Sequence, residues 1–192
     1  MSISPKNYRP LQIFTIVMLA LGFGCFAIVF SQTNKRIEEI RKIYQDVNKR
    51  VAECDENGDT SNTFLMEVVV NKNNGSYPAV GIYRSIVKFY YTFGDREKDP
   101  YPNRLLKILT TTNRSAMTET SEFLFDEKRN LIFYFEKNET EKRLYFASGN
   151  PIQILEGKKM IDVGSKSADQ IRRQLSKQAA RLAAIFQNGL EN

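Results

Sequence analysis

The stretch Glu122-Phe-Leu-Phe-Asp-Glu-Lys-Arg-Asn-Leu-Ile-Phe-Tyr-Phe-Glu136 decides how this chain folds. Its two apolar, aromatic runs are made of residues that fit a pleated, half-buried surface. Between them, Asp126 to Asn130 is polar and just long enough to reverse the chain as a hairpin.

Working outward, the same pattern recurs at residues 64–71, 82–93, 104–112, 117–125, 131–136, 142–147 and 151–155. Turn-rich stretches separate these runs: Asn73-Asn74-Gly75, Gly94 to Asn103, Asp126 to Asn130, Lys137 to Thr140 and Ala147 to Asn150. The last three are of hairpin length, so the spacing predicts an antiparallel meander of about six to seven strands paired in chain order. A faint echo links Phe123–Ile132 with Leu144–Ile152, which reads as two successive hairpins rather than a repeat architecture.

Helices are expected on either side of the meander, giving an α+β fold. Over residues 35–53, Ile37, Ile40, Tyr44, Val47 and Val51 are spaced 3, 4, 3, 4 with charges elsewhere. That stripe is expected to pack on the chain's own sheet; the alternative is a short coiled coil that oligomerises through Ile37–Val51. Residues 168–188 form the second helix, with Ser167 and Gln170 as a capping box and Gly189 as its terminator. Ile171, Leu175, Ala179, Leu182 and Phe186 share its core face, and Arg173, Lys177 and Arg181 line the opposite one.

Before the first helix, Leu11 to Phe30 is apolar except for Gln12 and Thr15 and carries no charge. Twenty such residues suffice to cross a bilayer as a helix. Residues 1–31 are therefore expected to be a membrane anchor or a signal peptide cleaved after Ser31, with Lys6 and Arg9 as its basic start. A lipoprotein reading through Cys25 fits poorly, because Gly22 stands where leucine is usual and Phe26–Phe30 stays apolar. Each reading makes residues 32–192 a single extracytoplasmic domain, periplasmic or held at the cell envelope. The membrane is then a partner through residues 1–31.

Composition narrows the chemistry. The chain has no histidine, which removes the usual general base and the commonest neutral metal ligand. With Cys25 in the apolar run, Cys54 is the one thiol left, too few for an internal disulfide or a thiolate zinc cluster. Asp55, Asn57 and Asp59 have calcium-loop spacing, but Thr60 and Met66 stand where glycine and glutamate are required. No catalytic residue, metal site or cofactor is therefore assigned. A histidine-free hydrolase remains an alternative, with a carboxylate pair drawn from Glu119, Glu122, Asp126 and Glu136, Glu122 and Glu136 meeting across a hairpin.

Surface chemistry offers two candidates. Residues 158–192 carry seven basic and three acidic side chains, most of the chain's net charge of +6. Such a stripe suits an anionic envelope component; nucleic acid is a poor partner outside the cytoplasm, and no motif for it is present. Aromatic residues fall on both parities of the strands, so one sheet face is expected to be covered by helices and the other to expose tyrosines to an envelope protein. Tyr83, Tyr91, Tyr134 and Tyr145, with Arg173, Lys177 and Arg181, form the expected interaction surface. The Asn-x-Ser/Thr triplets at Asn74, Asn113 and Asn138 are near chance in number and matter only where the source glycosylates.

Through residues 122–136, Lys142–Ile152 and the helical Ile40-Arg-Lys-Ile-Tyr44, the chain resembles exported proteins of Bacteroidetes that have no assigned activity. The resemblance covers residues 30–156 and implies a periplasmic or surface setting, with an antiparallel sheet and flanking helices. The expected function is a non-enzymatic binding or structural role at the cell envelope, an oligomerising membrane-anchored protein being another alternative.

Overall fold

The computed structural model describes the backbone of residues 9–58, 62–78, 81–98, 100–114 and 117–191, with side chains from Gln32 onward. The signal peptide or anchor expected over residues 1–31 lies outside the residues described in full. Among the described residues, no helix is long and apolar enough to cross a membrane. The chain divides into two compact units, Met1–Glu39 and Ile40–Asn192. The first contributes helical backbone, and the second holds the whole sheet.

The fold is α+β. Helix α1 spans Arg9–Asn57. The strands are β1 (Thr63–Val70), β2 (Ser76–Tyr77), β3 (Gly81–Thr92), β4 (Arg104–Arg114), β5 (Met117–Phe125), β6 (Leu131–Lys137), β7 (Lys142–Ala147), β8 (Asn150–Glu156) and β9 (Lys159–Ile161), followed by α2 (Lys166–Leu190). All pairings are antiparallel, and the order is β1-β3-β4-β5-β6-β7-β8-β9, with two-residue β2 paired to β3. The expected meander is present, lengthened to nine strands by β2 and β9, which are too short to leave a periodic signature.

Turn chemistry holds this order. Asp126 Oδ1 accepts from the Lys128 and Asn130 amides at 2.9 and 2.8 Å, closing the β5–β6 hairpin. Ser148 and Gly149 both take positive φ, the two-residue turn whose twist matches the flanking strands β7 and β8. Asn71, also at positive φ, donates from Nδ2 to the carbonyls of Gly75 and Tyr83 and bends the chain from β1 into β2.

Residues Tyr90, Lys107, Leu124, Phe133 and Tyr145 form one row across β3 to β7. Register shifts follow Tyr90, Leu124 and Tyr145 in that row, so three bulges bend the sheet at one level. There the strands are buried over consecutive residues, Leu105–Ile108, Phe123–Phe125 and Leu144–Phe146. Consecutive burial means that both faces are covered. This corrects the expectation of one exposed tyrosine face.

Each face carries one helix running across the strands. Along α1, Arg41 lies over Tyr145 of β7, Tyr44 packs edge-on to Phe133 of β6, Asn48 meets Lys107 of β4 and Asp55 meets Tyr90 of β3. On the other face, α2 begins against β8, stacks Phe186 on Phe89 of β3 and ends with Gly189 against Met66 of β1. Its 25 residues span ~37 Å at 1.5 Å each, which matches seven inter-strand gaps of ~4.8 Å.

The α2 boundaries differ from expectation. Ser165, not Ser167, is the N-cap, accepting from the Ala168 amide at 3.2 Å. Gly189 is inside the helix rather than its terminator; an added Cβ there would lie 2.7 Å from Met66 Sδ.

Candidate functional site

The face under α1 is unusually polar for a core. Lys107 lies mid-sheet with a side chain only 6% exposed, and its ammonium is 2.8 Å from Glu122 Oε2. It also donates to Asn48 Oδ1 at 2.8 Å and sits 5.3 Å from the centre of the Tyr44 ring. Tyr44 in turn donates its hydroxyl to Glu122 at 2.8 Å. One turn of α1 thus supplies a phenol and an amide that complete a buried Lys–Glu pair. Burial first, and then the neighbouring Glu122 carboxylate, push Tyr44 up to about 12.

A second polar contact lies toward the end of α1. The Tyr90 hydroxyl donates to both oxygens of Asp55 at 3.1 Å, and Lys88 approaches the same carboxylate at 3.8 Å. Burial, with the Asp55 charge behind it, holds the Tyr90 phenol well above its ordinary range. Cys54 beside it is a buried free thiol.

The proposed carboxylate pair does not form. Glu122 points toward α1, whereas Glu136 accepts from the Tyr134 hydroxyl, on the face that carries α2. The two residues sit one register step apart, Glu122 opposite Phe135 and Glu136 opposite Ser121, so the pleat sends them to opposite sides. Among the described residues, no group of three carboxylates or thiols is placed to hold a metal. Part of the loop with calcium-like spacing, residues 59–61, lies outside the described residues.

The expected interaction surface separates into three environments. Tyr134 and Tyr145 are core residues, 3% and 5% exposed, and so are not available to a partner. Tyr91 is half-buried against Phe186. Tyr83 alone belongs to an open patch: it pairs with Arg114, which pairs with Met117, and Tyr77 packs edge-on to it at 6.3 Å. Tyr77, Met117 and Val70 are exposed there, and the Arg114 guanidinium lies 5.9 Å from the Tyr83 ring. Sequence reasoning named Tyr83 but missed Tyr77, because the two-residue strand that positions it gives no pattern.

Arg173, Lys177 and Arg181 are exposed along the outer face of α2, while Leu175, Ala179 and Phe186 are buried beneath it. Arg173 is paired with Asp169 at 2.8 Å, which leaves Lys177 and Arg181 as the stronger attractors on that face. Lys158, Lys159 and Lys166 are also exposed, in the β8–β9 turn, in β9 and at the start of α2.

Beside α1, Lys42, Asp46 and Arg50 face Arg104, Asp126 and Glu127 across a cavity of about 460 Å³ floored by Ile43, Val47, Leu106 and Phe125. Its charges are largely matched internally, Arg50 with Asp46 at 3.1 Å and Arg104 with Glu127 at 3.1 Å. Compared with protein-family models, curated proteins and solved structures, the chain matches none.

Proposed function

We propose that the chain is a non-enzymatic binding module of the cell envelope, delivered by residues 1–31, whose basic α2 face contacts an anionic envelope component. The observation that carries this reading is the exposed Arg173–Lys177–Arg181 row on a helix whose other face is locked into the core. A basic row on a helix that is fixed in place keeps its charges aligned without an added ordering cost. The resemblance to exported Bacteroidetes proteins supports the same setting.

The test is flotation of the full chain with phosphatidylglycerol vesicles and with phosphatidylcholine vesicles. Residues 1–31 favour both, so the difference between the two lipids isolates the contribution of α2. Each basic residue near an anionic surface contributes about 1 kcal/mol. Arg173→Glu, Lys177→Glu and Arg181→Glu together should therefore remove a preference of roughly a hundredfold, as should high salt. Equal recovery on both lipids, or a preference the triple variant leaves intact, would overturn the proposal.

A further inference from the structure

The two edges of the sheet are built differently. Strand β9 is three residues long, begins with Lys159 and is preceded by Lys158, which are ordinary devices for discouraging strand addition. Strand β1 has none of them. Its eight residues, Thr-Phe-Leu-Met-Glu-Val-Val-Val, include no lysine and no proline, and all eight pair with β3 without a bulge. Among the described residues, β3 is the one strand that pairs with it.

From Phe64 to Val70 the strand offers six apolar side chains and one acid, and Leu65 and Val70 are 38% and 43% exposed. The acid is no gatekeeper, because Glu67 faces Lys88 across the β1–β3 pair. The apolar rim continues onto α2, where Ile185 is exposed one turn before Gly189, the residue that meets Met66, and Leu190 is exposed just after it.

We infer that β1 pairs with β1 of a second copy of this chain about a two-fold axis at Val68, joining two sheets edge to edge. A two-fold perpendicular to the sheet pairs residues of equal parity. Centred on Val68, it sets Val68 opposite its copy, Glu67 opposite Val69 and Met66 opposite Val70. Apolar and β-branched side chains then meet across the seam, while the two acids stay off each other. A strand with no base and a compensated acid matches itself better than it matches a charged foreign strand. The Ile37–Val51 stripe does not compete for this role, since Ile40 and Val47 are buried within the chain's own fold.

Three measurements on the full chain in detergent micelles test this. Light scattering, corrected for detergent, should give the mass of two chains, and Leu65→Lys with Val70→Lys should lower it about twofold. Mild oxidation should link Val68→Cys chains in pairs. Leu65→Cys chains should stay unlinked, because six residues of antiparallel offset separate the two thiols by ~20 Å. A single-chain mass at ~100 µM, or a dimer that ignores both lysines and leaves Val68→Cys unlinked, overturns the inference. So does uptake of a foreign extended peptide by β1 in place of the second copy.

Discussion

The two faces of the sheet bury comparable stretches of backbone by different means. Under α2, Phe89, Ile108, Phe123, Leu144, Phe146 and Ile154 meet Leu175, Ala179 and Phe186, an apolar cluster whose contacts are short in range and tolerant of register. Under α1, the helix is held by Tyr44 on Glu122, Asn48 on Lys107 and Asp55 on Tyr90. An apolar face rewards any close packing; a buried ion pair rewards one placement and penalises the rest. Helix α2 therefore contributes mainly stability, while α1 is set in one register.

The sharpest way to break that comparison is one large residue from each face. Phe123 is fully buried, and Phe123→Ala should cost about 3–5 kcal/mol in a denaturant titration. Lys107→Met should cost about 3 kcal/mol, the lower end of the range for a broken buried pair, since Glu122 keeps 16% side-chain exposure. The two then diverge. Adding Glu122→Leu to Lys107→Met removes the uncompensated charge and should recover most of the loss. No second change at Glu122 should help Phe123→Ala. Equal failure of both rescues would make the α1 face an ordinary core.

A smaller effect separates the faces by pH. Tyr44 is pushed from 10.0 to about 12, with burial the main cause, so the folded state holds this proton more tightly than the unfolded chain does. Its contribution to stability is complete below pH 10 and is lost as pH rises through 12. Tyr90 and Tyr134 shift in the same direction and extend the loss to higher pH. Tyr44→Phe should flatten the part of the stability curve between pH 10 and 12, and tyrosinate absorbance should lose its first retarded component. An unchanged curve would mean that the Tyr44 hydroxyl is not held by Glu122.

Much of this fold is readable in the residues. The runs from Phe64 to Leu155 carry the strand pattern because side-chain alternation and turn residues are local, and seven observed strands begin and end within two residues of them. What lay beyond reach depends on pairing at a distance. Lys107 reads as an ordinary charge on a strand until Asn48 and Glu122, 59 positions earlier and 15 later, come together around it. Aromatics on both parities signal two buried faces, but which helix covers which face follows from the path of α1 across β7 to β3. The carboxylate pair fails for the same reason, since a one-residue step in register sends Glu136 to the other side.

Gly189 is the finest test of how firmly α2 is seated. It lies within the helix, where glycine costs roughly 0.5–1 kcal/mol relative to alanine, so propensity alone favours Gly189→Ala. Opposing this, the new Cβ would stand 2.7 Å from Met66 Sδ and 3.3 Å from its Cε. Those are the far atoms of a long, unbranched side chain, which a change of rotamer can move aside. The gain and the displacement should nearly cancel, leaving the midpoint of unfolding within about 0.5 kcal/mol of the parent. Met66→Ala removes the obstacle, so in that background Gly189→Ala should be stabilising by the full helical preference. A loss well above 1 kcal/mol in the parent would show that Met66 is pinned, and that the end of α2 is packed as tightly on β1 as its middle is on β5.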